Sequence, residues 1–258
     1  MKKRLISAII MIAVLTPIVI LGNIPFQIGV TILAIFAFKE IYDLYYRENK
    51  LPIIVEVFSF LSVGLLVLCL ESIVSCIGLV ALLMITPILF YKNDEYTFNK
   101  ASSLFGMILF IGTIFYILIY VRSSSLEEFI YLPIITILTD TFAYLGGMLF
   151  GKNKLFERVS PNKTIEGSLI GTLVATSVGS TYFLFMVNPG VNIFVVILIT
   201  FLLSVIGQVG DLVFSKIKRE NNIKDFSKLI PGHGGLLDRV DSLAFVSLFY
   251  VVIRLLFL

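Results

Sequence analysis

Charge is what this chain has least of. Of its 258 residues only 14% are charged and 58% are hydrophobic, with no tryptophan, one histidine and two cysteines. The mean hydropathy, +1.02, lies outside the range of soluble globular chains and inside that of membrane proteins. No stretch is polar enough for a separate soluble domain. Walker-A, GxGxxG and GxSxG sequences are absent, so no P-loop, dinucleotide fingerprint or hydrolase elbow is expected. One histidine and two distant cysteines exclude a typical zinc cage. Cys69 and Cys76 flank the short turn at Glu71-Ser72. A disulfide could form there on the non-cytoplasmic side, but the plainer expectation is two small buried hydrophobes.

What the chain has instead is long apolar runs. A hydrocarbon core about 30 Å thick takes roughly 20 apolar residues per helical crossing. Runs bounded by polar or turn residues predict nine spans: 5–22, 25–45, 53–70, 73–91, 104–121, 129–149, 168–187, 192–213 and 238–257. The first follows Lys2, Lys3 and Arg4 and superficially resembles a signal peptide. It lacks a small-x-small cleavage site and is read as a retained span. The expected fold is therefore all-α, a polytopic integral membrane protein of about nine transmembrane helices. It forms a single membrane domain over 1–258, with N-terminal spans over 1–121 and a catalytic C-terminal half over 129–258.

Basic residues set the orientation, because Lys and Arg are retained on the cytoplasmic side of short loops. With a cytoplasmic N-terminus, 18 of the 20 Lys and Arg fall inside, all but Arg122 and Arg254. Nine spans then put the C-terminus outside. The two longest hydrophilic segments, 150–167 and 214–237, both become cytoplasmic, so chemistry is expected at the inner face of the cell membrane.

Ionisable residues inside spans are costly and are functional candidates by default. Asp140 lies mid-span with Thr136 and Tyr144 at i−4 and i+4. Gln208, Asp211, Ser215, Lys218 and Arg219 follow steps of three or four, a polar track leading out along one face of the eighth span. Asp238 and Asp241, three apart at the start of the last span, would repel each other without a positive charge between them. A divalent cation would satisfy both, and Mg²⁺ suits an all-oxygen site.

Between these lies Lys228–Ser242, "KLIPGHGGLLDRVDS". Its glycines would let a phosphate approach the backbone closely, and amides at a helix start bind anions. Lys218, Arg219, Lys224 and Arg239 crowd phosphate-type donors around it. In the other inner segment, Ser160-Pro161 fits a helix N-cap and first position, while Lys163 is the better ligand contact. Gly167, Gly171, Ala175 and Gly179 then recur every four residues and predict a close-packed seam. Glu40, Asp43 and Glu56 are read as interfacial. The residues alone thus reach a multi-span protein with an inner-face, metal-dependent phosphate site.

Ser215–Ser242, "SKIKRENNIKDFSKLIPGHGGLLDRVDS", closely resembles the signature of the CTP:phosphatidate cytidylyltransferases. Its fixed elements are Ser215, Lys218, Arg219, Lys224, Asp225, Pro231, Gly232, His233, Gly234, Gly235, Asp238, Arg239 and Asp241. The family's earlier S-P-x-K-T is similar to Ser160, Pro161, Lys163 and Thr164, and Asp140 stands in the expected D-x-x-A-Y setting. The resemblance implies transfer of CMP from CTP to phosphatidic acid of the inner leaflet, giving CDP-diacylglycerol and pyrophosphate in phospholipid biosynthesis. Asp211, Asp238, Lys218, Arg219, His233 and Arg239 would then carry the reaction. Ser160, Lys163, Thr164, Ser215, Lys224, Asp225, Gly234, Gly235 and Asp140 would bind substrate, and Asp211, Asp238 and Asp241 would hold Mg²⁺, with room for a second cation. Membrane lipid is the expected surrounding and nucleic acid is not an expected partner, while a homodimer is compatible with this reading. A CTP-dependent lipid kinase and a transporter for a phosphorylated lipid or small anion are the competing readings.

Overall fold

Without water to satisfy them, backbone groups in a bilayer pair within their own segment, and apolar runs become helices. A computed structural model describes residues 2–48, 50–69, 72–92 and 95–257, and each expected span corresponds to a helix among them. These are α1 (Lys2–Leu21), α2 (Asn23–Tyr46), α3 (Ile53–Leu68), α4 (Ile73–Ile85), α5 (Phe98–Ser124), α6 (Leu126–Phe150), α7 (Ile165–Tyr182), α8 (Ile193–Glu220) and α9 (Leu237–Phe257). A 3₁₀ turn, Thr86–Leu89, prolongs α4, and a π turn, Phe183–Val187, prolongs α7. Among the described residues five stretches are long and apolar enough to cross a membrane: Asn23–Tyr46, Phe98–Ser124, Leu126–Phe150, Ile165–Val187 and Ile193–Glu220.

One element departs from the all-α expectation. Strands β1 (Lys154–Phe156) and β2 (Ser160–Thr164) form an antiparallel ribbon in which Lys154 faces Thr164 and Phe156 faces Ser160. Ser160-Pro161 therefore does not start α7, contrary to the sequence expectation. A residue before proline is biased toward extended backbone, and a short edge strand tolerates the missing N–H. The N-cap is Thr164, whose Oγ1 accepts from the Gly167 N–H at 3.2 Å. Glu166 ties the ribbon's entry to α7, accepting from the backbone N–H groups of Lys152 (3.1 Å) and Asn153 (3.2 Å).

The cysteines also depart from the expectation of two separate buried hydrophobes. Because α3 stops at Leu68 and α4 resumes at Ile73, Cys69 and Cys76 come to 6.7 Å between Cα atoms and are disulfide-bonded. Glu71 of the intervening turn lies outside the described residues.

The chain forms two compact units. One comprises the residues up to Ser123 together with Phe226–Leu237, and the other Ser124–Asp225 together with α9 from Asp238 onward. In the first, the Arg122 guanidinium donates to the carbonyls of Val19 (2.8 Å) and Ile20 (3.1 Å), the otherwise orphaned acceptors at the end of α1. In the second, Arg254 of α9 pairs with Glu128 of α6 at 3.3 Å. The two basic residues left out of the cytoplasmic count thus both have local partners.

The glycine seam forms as expected. A Cβ on Gly167 would lie 2.4 Å from the Ala143 carbonyl, and one on Gly171 would lie 2.5 Å from the Thr139 carbonyl. α6 and α7 are in backbone contact, which only the smallest residues allow. Hydroxyl pairs tie α8 to the same core: Tyr131 with Thr200 (2.7 Å), Thr139 with Ser204 (2.7 Å), and Ser180 with Thr200 (3.1 Å). α9 packs on α8 at Gly210, where a Cβ would meet the Phe245 ring at 2.8 Å.

Candidate active site

Close packing of α6 on α7 leaves a cavity of about 370 Å³ beside the seam. Asp140 and Tyr144 of α6, Lys163 and Thr164 of the ribbon, Ser168 of α7, and Gln208 and Asp211 of α8 line it, with Ala143, Met148 and Leu155 supplying apolar wall. Small ligand sites have this composition: apolar surface with a few convergent polar groups.

The polar end is internally organised. Lys163 Nζ is ion-paired with Asp211, and Ser215, one turn further along α8, donates to Asp211 Oδ1 at 3.4 Å. Gln208, one turn before, accepts from Ser168 Oγ (2.5 Å) and donates to Thr172 Oγ1 (2.8 Å), which fixes its amide. Asp140 and Asp241 both lie within electrostatic reach of Asp211, and Lys163 and Arg239 are the nearby cations acting on Asp140. The polar track of α8 exists as expected. The stripe expected on α6 is shorter, because Thr136 is buried and donates to the Pro133 carbonyl at 3.2 Å.

Beyond the cavity, Lys218 Nζ and Asp238 Oδ1 are 2.6 Å apart, with side chains 10% and 4% exposed. The repulsion that the Asp238/Asp241 spacing implies is thus answered at Asp238 by the ammonium of Lys218. Asp241 Oδ1 accepts from the Ser242 N–H at 2.8 Å. Among the described residues no three of His, Cys, Asp and Glu form a metal-holding cluster. The donor chemistry nonetheless fits a hard cation. Asp140, Asp211 and Asp241 offer the hard carboxylate oxygens such an ion takes, and Asp211 and Asp241 belong to the set expected from the sequence.

Arg219 is exposed and donates to Val159 O (3.4 Å) and Ile223 O (3.1 Å), clamping the end of α8 to the ribbon's turn. Lys224 and Asp225 are exposed on the loop after α8, Arg239 is exposed on α9, and Ser160 is half-buried on β2.

The loop Phe226–Leu237 belongs to the first unit. Gly232 (φ 81°) and Gly234 (φ 86°) take left-handed conformations, so two of its glycines serve the turn itself. The N–H groups of His233 (2.9 Å) and Gly234 (3.2 Å) donate to Ile230 O. Those of Leu236 (2.7 Å) and Leu237 (2.8 Å) donate to the carboxylate of Glu40. These amides, expected to face a phosphate, are committed within the protein. His233 Nδ1 lies 2.8 Å from Ser7 Oγ, which donates to Pro231 O at 3.0 Å. With that proton on the carbonyl, Nδ1 is the donor to Ser7.

Sequence reasoning missed Glu40 and Ser7, since both act through partners about 190 to 230 residues away. A carboxylate in an apolar helix was the one available signal for Glu40.

Residues 2–257 match the Cytidylyltransferase family. The phosphatidate cytidylyltransferase of Staphylococcus haemolyticus is 36% identical over 252 residues, 95% of this chain and 96% of that protein. Those of Staphylococcus aureus and Staphylococcus epidermidis are each 34% identical with the same coverage. A match that runs the length of the chain and of its relatives, over the residues that build the cavity and the Lys218–Asp238 pair, places the chain in the cytidylyltransferase family.

Proposed function

We propose that the protein is a phosphatidate cytidylyltransferase, joining CTP and phosphatidic acid to give CDP-diacylglycerol and pyrophosphate. The observation that carries this reading is the cavity. It sets Lys163, Asp211 and Asp140 at one end and apolar wall beside them, which matches a phosphate headgroup attached to acyl chains. The relatives named for this reaction support it.

A phosphate monoester has a second pKa near 6, so at neutral pH phosphatidate is largely dianionic and needs no strong base. One of its oxygens attacks the α-phosphorus of CTP. The bond from that phosphorus to the β-phosphate oxygen breaks, and pyrophosphate leaves. The obstacle is the approach of two polyanions, so the protein's work is orientation and charge compensation. Lys163, released from Asp211 by an incoming phosphate, would hold that phosphate, while Arg219, Lys224 and Arg239 meet the nucleotide's phosphates and the leaving pyrophosphate. Lys218 pairs with Asp238 and orients it. Ser215 and Gln208 hold Asp211 and the cavity wall in place, and Ser160, Thr164 and Asp225 frame the nucleotide. We assign His233, Gly234 and Gly235 to the nucleotide from the signature they share with the family.

Mg²⁺ would be held by Asp211 and Asp241, with Asp238 and Asp140 available to it or to a second cation, and would polarise the CTP α-phosphate. We further infer nine crossings with α1 entering from the cytoplasm, since 18 of the 20 basic residues then share one side. Phosphatidate would reach the site from the inner leaflet and CTP from the cytosol.

Purified protein given phosphatidate and CTP labelled in the α-phosphate, with and without Mg²⁺, tests the reading. Label entering the lipid with release of pyrophosphate is the expected result. A lipid that gains only the γ-phosphate, or no CTP consumption, would overturn it.

A further inference from the structure

Glu40 stands on α2 with 5% of its surface exposed. A buried carboxylate is tolerated only when its oxygens are satisfied. Among the described residues its hydrogen-bond partners come from the glycine loop and the start of α9. Oε1 accepts from Ser227 Oγ (2.6 Å) and the Leu236 N–H (2.7 Å), and Oε2 accepts from the Leu237 N–H (2.8 Å). The last is the first amide of α9, so the carboxylate occupies the anion-favouring end of that helix. Gly235 packs against it: a Cβ there would lie 2.8 Å from both carboxylate oxygens. Unlike Gly232 and Gly234, Gly235 has no left-handed φ. The third glycine of the motif is there because Glu40 is.

We propose that Glu40 is a positioning residue for cytidylyl transfer: it fixes the Ser227–Leu237 loop in the conformation that receives the nucleotide. This rests on the assignment of the loop to CTP. The loop has few elements of its own to hold it, a single isolated bridge between Ile230 and Gly234 and the left-handed glycines. Glu40 replaces the missing scaffold with a charge at its centre, binding the loop's first third through Ser227 and its end through Leu236 and Leu237.

Glu40→Gln keeps the shape but turns one acceptor into a donor facing an N–H group. Initial rates are measured on the full-length protein in detergent with α-labelled CTP and phosphatidate. KM for CTP is expected to rise about tenfold, the loss of one hydrogen bond to a charged group, while KM for phosphatidate stays within twofold. Gly235→Ala, which pushes on the same oxygens, should give the same signature. The double variant should be no more than twofold worse than the worse single, because both act through one contact. Ser227→Ala, which removes only the side-chain donor, should raise KM for CTP two- to threefold and serves if the others fail to fold. A CTP KM unchanged in Glu40→Gln, or in Ser227→Ala where only that variant folds, overturns the proposal. So do equal rises for both substrates, or effects that multiply in the double variant. If the parent protein transfers label but none of these variants shifts KM for CTP, the Glu40 assignment alone falls. If the parent transfers no label, the functional reading falls and takes this proposal with it.

Discussion

Replacing Lys218 by methionine keeps the apolar stem and removes the ammonium that sits 2.6 Å from Asp238 Oδ1. Asp238 is 4% exposed, so water cannot take the ammonium's place. Breaking a buried pair by removing one partner costs about 3–5 kcal/mol. Asp238 also lies in the first turn of α9, where the helix dipole supports a carboxylate by roughly 0.5 kcal/mol, so the lower end, about 3 kcal/mol, applies. For a chain of this size that corresponds to a fall of about 10 °C in the melting midpoint. Asp238→Asn in the Lys218→Met background removes the stranded charge and should restore more than half of the loss, leaving the cost of one imperfectly paired amide. Turnover should stay undetectable in both. Thermal unfolding of the detergent-solubilised protein, followed by size exclusion or intrinsic tyrosine fluorescence, measures the cycle. A double variant less stable than Lys218→Met would refute the reasoning, since the two residues would then be stabilising the fold independently.

Asp211→Asn should abolish cytidylyl transfer while the protein inserts and purifies normally; activity within a few-fold of the parent, by α-label transfer, would remove Asp211 from the reaction. Gly171→Ala would drive a methyl group into the Thr139 carbonyl, 2.5 Å away, and should destabilise the α6–α7 seam by about 1–3 kcal/mol, read as a lowered melting midpoint. Reduction of the Cys69–Cys76 bond, or Cys76→Ser, should cost about 2 kcal/mol from a loop this short and leave the kinetic constants unchanged.

Much of the fold was legible because lipid and helix geometry each leave few options. Apolar runs located every helix, and the four-residue recurrence of Gly167, Gly171, Ala175 and Gly179 located a contact with another element. Steps of three and four along α8 likewise put Gln208, Asp211, Ser215 and Lys218 on one side. What could not be read was the partner of each polar group. The spacing of Asp238 and Asp241 called for a positive charge but not for Lys218 in particular, which reaches it from another helix. Glu40 looked interfacial because its partners are separated from it by most of the chain. The β ribbon escaped because three- and five-residue strands carry no readable period, and Ser160-Pro161 satisfies the rules for a helix start and for an edge strand alike.

α8 runs without interruption from Ile193 to Glu220, about 42 Å at the usual rise per residue and so longer than the roughly 30 Å hydrocarbon layer. Asp211 and Lys218 are seven residues apart on it, about 10 Å along the axis and nearly in line around it. The helix therefore acts as a ruler. The depth of the cavity carboxylate and the height of the ammonium that holds Asp238 are set by one rigid rod. A single inserted residue between them would turn one away from the other by about 100°. Variation in length among proteins built this way should accumulate in the loops and be excluded from the two turns between Asp211 and Lys218.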